Sequence, residues 1–285
     1  MGFFRAFYCC FAAALAVSLT LTCASTATAS EAVISALQGN PGLRSASALV
    51  LDGEGNLIYG KDVHTERPIA SITKLMTAMV VLDAKLELDE PITITRADRD
   101  TIKLTGSRLE YGATLSRGEL IVLALMSSEN RAASALGRTY PGGMAAFVEQ
   151  MNRKARSLGM HHTRFADPAG LRPDNISTAA DLAKMLAAAQ EYPLITHSTT
   201  TTRAQVRPYA SRGPLIYGNT NRLLKNNSWD IALSKTGYIN EAGRCLVMQA
   251  IIEGEELSIV LLNSFGKLTP FGDSNRLRKW LLANS

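Results

Sequence analysis

Residues 68–85 read PIASITKLMTAMVVLDAK, and the reading of this stretch decides the fold. Pro68 precedes a helix-like segment that starts near Ser71, and from Leu75 to Leu82 (LMTAMVVL) there is no charge. A helix that is apolar all round is buried on all sides, so this one is expected to run through the middle of the protein. Ser71 and Lys74, three residues apart, share one face of it. The bland alternatives are an ordinary N-cap serine and a surface lysine. The second is poor, because the helix offers Lys74 no solvated face.

On the N-terminal side, Ala48–Leu51 and Leu57–Tyr59 flank Asp52-Gly53-Glu54-Gly55-Asn56, a strand–turn–strand pattern. On the C-terminal side, Glu119 opens a run that stays apolar to Met126. Met144–Leu158 places Phe147, Val148, Met151, Ala155 and Leu158 at helical spacing. Thr178, three residues before Asp181, caps an expected helix Ala179–Gln190. The Thr-rich run Ser198–Thr202 reads as a strand. Ile231–Lys235, Cys245–Ile252 and Leu257–Leu262 read as three more, and Leu277, Trp280, Leu281 and Leu282 mark a closing helix. Two strands, a helical middle, three strands and a helix predict an α/β (α+β) fold: an antiparallel sheet flanked by helices, with an all-helical lobe inserted. No internal repeat or interdomain linker interrupts it.

Residues 1–29 are set apart as a secretory signal peptide. Arg5 is the only charge before Glu31, an apolar run from Phe11 to Leu21 follows, and Ala27-Thr28-Ala29 is an A-x-A cleavage pattern. The run is too short to anchor in a bilayer, so a periplasmic protein without a transmembrane anchor is expected, with residues 30–285 as one catalytic domain. Three of the four cysteines leave with the signal. Cys245 remains among apolar neighbours, without a partner for a disulfide, and reads as a buried inert thiol. A composition of 46% hydrophobic and 19% charged residues is that of a globular protein. The net charge of +5 is mildly basic, which suits acidic polymers but equally a solvated surface, and nothing points to nucleic acid.

Three motifs occur in order: Ser71-Ile72-Thr73-Lys74 (S-x-x-K), Ser128-Glu129-Asn130 (S-x-N) and Lys235-Thr236-Gly237 (K-T-G). S-x-x-K alone means little, and a second copy, Ser264-Phe265-Gly266-Lys267, is read as chance. Context gives the set its weight: the first opens the buried helix, the second follows an apolar helix and the third ends a strand. A serine hydroxyl needs a base to take its proton. A lysine at its ordinary pKa is neutral in only ~0.04% of molecules at pH 7, so Lys74 must be shifted down by burial or by a second cation, for which Lys235 is the candidate. Ser71 at a helix start has free N–H groups and the positive dipole end beside it. Ser128 can relay a proton toward a leaving amine, and Asn130 can hydrogen-bond Lys74 or a substrate amide. Lys235 and Thr236, on an edge strand, can hold a substrate carboxylate while the strand pairs with an extended peptide. Gly237 permits close approach of the substrate. Alone, Ser128 and Asn130 would read as a polar helix terminus.

These motifs are shared by β-lactamases and penicillin-binding proteins. The chain is similar to the D-alanyl-D-alanine carboxypeptidase/endopeptidase family of low-molecular-mass penicillin-binding proteins. Beyond the motifs, Ala70–Ala84 (ASITKLMTAMVVLDA), Leu158–Leu171 (LGMHHTRFADPAGL) and Asn219–Met248 carry the resemblance. The last stretch resembles the endopeptidase branch. The resemblance implies a β-lactamase/transpeptidase-like fold, with Ser71 as acyl-enzyme nucleophile, Lys74 as proton acceptor, Ser128 as second serine and Lys235 as substrate contact. It implies an oxyanion hole from the N–H groups of Ser71 and Tyr238. Peptidoglycan cross-links are the implied substrate, β-lactam antibiotics the implied covalent inhibitors, and no cofactor or metal is required. Glu129 stands where the family often has Gly or Asp, and is expected to point away from the chemistry.

A class A β-lactamase would add E-x-x-x-N between S-x-N and K-T-G. The only glutamates there, Glu149 and Glu191, do not begin that pattern, and the loop Phe165–Gly170 carries no base for deacylation. No G-x-S-x-G or H-E-x-x-H occurs. A catalytically dead wall-binding module would be expected to have lost a motif. Two strands and a helix are expected to use up the residues after Gly237, so neither a second β domain nor an amphipathic anchor is expected. A soluble endopeptidase cutting D-alanyl–diaminopimelate cross-links is therefore expected, with a carboxypeptidase as the alternative. Arg244, at the start of the strand after Lys235, is a candidate contact for a substrate carboxylate.

Overall fold

The computed structural model describes residues 38–284; the expected signal peptide, residues 1–29, lies outside the described residues. Strands β1 (Ser47–Leu51) and β2 (Leu57–Lys61) form the N-terminal hairpin, and β3 (Arg67–Pro68) leads into α1 (Thr73–Asp83). The helical part follows: β4 (Pro91–Thr93), β5 (Thr114–Ser116), α2 (Arg117–Met126), α3 (Asn130–Arg138), α4 (Gly143–Ser157), β6 (Ile176–Ser177), α5 (Ala179–Gln190) and α6 (Pro193–Thr200). A short hairpin, β7 (Arg203–Val206) and β8 (Leu215–Gly218), precedes β9 (Asp230–Ile239), β10 (Gly243–Ile252), β11 (Glu255–Ser264) and the closing helix α7 (Thr269–Leu282).

Five strands make one antiparallel sheet in the order β2-β1-β11-β10-β9. Alternation along a strand sends successive side chains to opposite faces. In β10, Cys245 and Val247 join the core shared with the helical lobe, while Leu246 and Met248 join a second core closed by Leu277 of α7. Both faces are covered, so β10 is almost continuously apolar. β9 lies at the sheet edge with K-T-G inside it rather than at its end, because pairing with β10 continues from Lys235↔Val247 to Ile239↔Gly243. The edge position anticipated for Lys235 and Thr236 is found.

Helix α1 is buried from Thr73 to Val81, Lys74 included, as its uniform apolarity requires. α2 starts where Ser116 and Glu119 form a reciprocal capping box: Ser116 Oγ accepts from the Glu119 N–H (3.2 Å) and the Glu119 carboxylate accepts from the Ser116 N–H (2.9 Å). Thr178 caps α5 by accepting from the Asp181 N–H at 3.1 Å. The strand expected at Ser198–Thr202 is instead largely the end of α6. Ser198, Thr200 and Thr201 each return a hydroxyl hydrogen bond to a carbonyl four residues earlier, and Pro193 presets the first turn. The β-propensity of threonine is overridden, and extended structure begins only at Arg203. Among the described residues no helix is long and apolar enough to cross a membrane.

One contact ties the lobe to the start of α1. Gly170 has φ +76°, and a Cβ built there would stand 1.9 Å from the Ala70 carbonyl oxygen. The 165–170 loop is thereby pressed against the turn that carries Ser71. Gly170→Ala is expected to cost about 2–4 kcal/mol in urea unfolding, through both φ and overlap; a variant as stable as the parent would mean that the loop does not press there.

Candidate active site

Ala70–Ile72 form a single 3-10 turn that runs into α1, so Ser71 sits at the mouth of the helix and Lys74 one turn inside it. Ala70 holds φ +47°, an uncommon state for a residue with a side chain, and it aims the turn. Lys74 is 0% exposed. Its Nζ donates to Ser71 Oγ (2.8 Å), Asn130 Oδ1 (2.8 Å) and the Ala169 carbonyl (2.6 Å), which uses all three ammonium protons. None of these acceptors is charged. Burial lowers the Lys74 pKa to about 7, against the opposing pull of Asp167, Glu129 and Asp100.

Ser128 occupies the turn between α2 and α3 with φ +61°. Its Oγ accepts from Lys235 Nζ at 3.0 Å, and Lys235 also donates to the Thr236 carbonyl at 2.9 Å. Lys235 is buried, and its pKa is held well below the ordinary lysine value by burial and by the charge of Lys74. The effect of the second cation therefore falls on Lys235, whereas burial is what lowers Lys74. Asn130 bridges the two sides, accepting from Lys74 and donating to Thr105 Oγ1 at 2.9 Å. Thr236 Oγ1 donates to Thr220 Oγ1 at 2.7 Å. A Cβ at Gly237 would lie 2.8 Å from the Ile69 carbonyl and 3.1 Å from the Ser71 nitrogen. The glycine thus lets β9 close on the nucleophile turn, a packing reason distinct from the close substrate approach expected of it. Tyr238, next along the exposed edge, carries the Arg244 guanidinium 3.6 Å from its ring centroid.

All eight expected site residues come together. Ser71, Ser128, Asn130, Thr236, Gly237 and Tyr238 line one cleft of about 730 Å³, with the Lys74 and Lys235 amines bonded to its two serines. Ser264 of the second S-x-x-K is buried elsewhere, sharing a hydrogen bond with Ser45 Oγ (2.7 Å). Cys245 is buried and its thiol is pushed up to about 11, so it stays protonated.

Other contributions were not visible as motifs. The Ala169 carbonyl has no side-chain signature, and Thr220 lies far from Thr236 in sequence. Asp167 accepts from the backbone N–H groups of Ala169, Gly170, Leu171 and Arg172 and from Asn175 Nδ2. An Asp three residues before a Gly is a turn signal that could have found it. The loop's carboxylate is consumed in holding the loop. Glu129, expected to point away from the chemistry, is buried, caps the Arg131 N–H (3.2 Å) and bears electrostatically on Lys74.

Residues 34–266 match the family described as D-alanyl-D-alanine carboxypeptidase. The D-alanyl-D-alanine endopeptidase of Pseudomonas aeruginosa is 46% identical over 264 residues, which are 92% of this chain and 85% of that one. The Escherichia coli K12 protein of the same name is 46% identical over 242 residues, 85% and 78% of the two chains. The crystal structure of the Streptomyces K15 DD-transpeptidase superposes with a TM-score of 0.80 at 27% identity, covering 86% of this chain and all of the other. The α/β transpeptidase-like fold is thus established together with the serine-hydrolase class.

With Lys74 at about 7, roughly half of its amines are neutral at pH 7. Only the neutral form can take the Ser71 proton. Acylation of Ser71 by a fluorescent penicillin is expected to fall about tenfold per pH unit below 7 and to level off above it. Lys74→Arg, which stays charged, should fold and lose ~10²–10⁴-fold in rate; a near-normal rate in that variant would place the base elsewhere.

Proposed function

The chain belongs to the D-alanyl-D-alanine carboxypeptidase family of serine peptidases, and we propose that it is the endopeptidase that hydrolyses D-alanyl–diaminopimelate cross-links in peptidoglycan. The observation that carries the chemistry is a dehydrated amine 2.8 Å from a serine hydroxyl. Neutral Lys74 takes the Ser71 proton as Oγ adds to the D-alanyl carbonyl. The tetrahedral oxyanion is held by the N–H groups of Ser71 and Tyr238, on the turn and strand that Gly237 brings into contact. As the C–N bond breaks, the amine of the second stem takes a proton delivered through Ser128. Lys235 holds the Ser128 hydroxyl, and with Thr236 it receives the substrate carboxylate. Water then cleaves the acyl ester and restores Ser71. Asn130 keeps Lys74 aimed.

Likeness to two proteins named D-alanyl-D-alanine endopeptidase, 46% identical over most of their length, supports the endopeptidase reading over the carboxypeptidase one. Delivery to the periplasm follows from the signal-like residues 1–29. β-Lactams acylate Ser71 by the same route. Asp167 is the carboxylate of the loop where a β-lactamase would need a base, and it already accepts five hydrogen bonds. The penicilloyl ester is therefore long-lived, and the protein is a target of penicillin rather than a resistance enzyme.

Digestion of purified peptidoglycan, with chromatography of the products, tests the reading. Cross-linked dimers should fall to monomers, pentapeptide monomers should be trimmed slowly or not at all, and Ser71→Ala should do neither. Efficient release of terminal D-alanine with dimers left intact would make the protein a carboxypeptidase.

A further inference from the structure

The cleft that holds Ser71 continues around the edge strand onto the opposite face of the sheet. Alternation along β9 sends Thr236 and Tyr238 to the side away from Lys235 and Gly237. There the lining is Tyr238 and Phe271 with four cations, Arg222, Lys225, Arg244 and Lys267, and no acidic residue lines any part of the cleft. Arg222 and Lys225 stand on the 3-10 turn Arg222–Lys225, which starts two residues after Thr220, the hydrogen-bond partner of Thr236. Arg244 faces Tyr238 across the strand pair, and Lys267 precedes α7.

Nothing in the described residues neutralises this group. None of the four forms an ion pair there. Asp273, the acid on the first turns of α7, is already taken by Arg276 and by the N–H groups of Arg44 and Ser45. Arg222, Lys225 and Lys267 are exposed, so their stems are free to reach a ligand. Four like charges around one cleft repel each other, and an anionic occupant would relieve that repulsion. The position also matters: the cations follow Thr236, at the end of the site that takes the carboxylate and the leaving amine.

We propose that Arg222 and Lys225, supported by Arg244 and Lys267, form a subsite for the carboxylates of the stem peptide on the leaving side of the cross-link. This rests on the endopeptidase reading and adds the feature that would favour a cross-link over a single stem. A diaminopimelate residue whose side-chain amine is acylated keeps the carboxylate beside that amine for Lys235 and Thr236, and the rest of its stem adds further carboxylates beyond it. The terminal D-alanine released by a carboxypeptidase has one carboxylate, already met by Lys235 and Thr236, and nothing beyond it to reach the outer face.

Binding to the acylation-dead protein separates this subsite from the chemistry. A purified tetrapeptide–tetrapeptide muropeptide dimer would be titrated against Ser71→Ala and against Ser71→Ala carrying Arg222→Ala and Lys225→Ala, with thermal unfolding confirming that both are folded. The same dimer with its carboxylates amidated is the second ligand. The double charge removal should weaken binding of the native dimer about tenfold. Amidation, which also removes the carboxylate met by Lys235 and Thr236, should weaken binding to Ser71→Ala by at least that factor, and the amidated dimer should bind the charge-removed protein about as well as it binds Ser71→Ala. Equal affinity of both proteins for the native dimer would overturn the subsite, as would a loss of the same size on native and amidated dimers. Failure of the wild-type protein to cut a dimer that Ser71→Ala binds would instead sink the endopeptidase reading.

Discussion

The structure is organised around keeping water away from one amine. A charged lysine costs several kcal/mol to bury without compensation, and Lys74 is fully buried in a helix that is buried along nearly its whole length. What meets it are three neutral acceptors, Ser71 Oγ, Asn130 Oδ1 and the Ala169 carbonyl. A carboxylate in contact would lock the proton on, and an apolar wall would strip it off. Asp167, Glu129 and Asp100 act from a distance, and the balance leaves the amine near neutrality at about 7.

The rest of the architecture meets that requirement. Strands β9 and β10 close on the turn that leads into α1, the helical lobe supplies Asn130 and Ser128, and the 165–170 loop delivers the Ala169 carbonyl. Each must come within hydrogen-bond distance, which explains the two glycines where a Cβ would strike backbone: Gly170 at Ala70 and Gly237 at Ile69. It also explains why Ala70 and Ser128 hold positive φ values of +47° and +61° on either side of the cleft. Such conformations cost about 1–3 kcal/mol each and persist when the surroundings over-determine them. Asp167, with five donors, keeps the loop in place.

Much of this was legible in the sequence, for local reasons. The uncharged run from Leu75 to Leu82 could only be a buried helix, and it made Lys74 conspicuous. Thr178 with Asp181 marked the start of α5, and the apolar stretches of β10 and β11 marked central strands. The Thr-rich stretch misled because hydroxyls that return to helix carbonyls, as Ser198 does to Leu194, have the same composition as a strand. Apolarity that stops at Lys235 suggests a strand end at K-T-G, yet the backbone pairing with β10 continues to Ile239. The Ala169 carbonyl, the Thr220–Thr236 contact and the influence of Glu129 on Lys74 depend on tertiary neighbours, and no spacing encodes them. The source of the lysine shifts likewise needed coordinates: burial lowers both Lys74 and Lys235, and the charge of the paired cation adds to it only at Lys235.

A titration of the Lys74 side chain itself is the most direct test. Protein labelled at the lysine side-chain carbon beside the amine, with the Lys74 resonance assigned from Lys74→Arg, would be followed by NMR across the pH range over which it stays folded. A midpoint near pH 7 is the expected result. A midpoint above pH 10, where an ordinary hydrated lysine titrates, would contradict a dehydrated amine as the base.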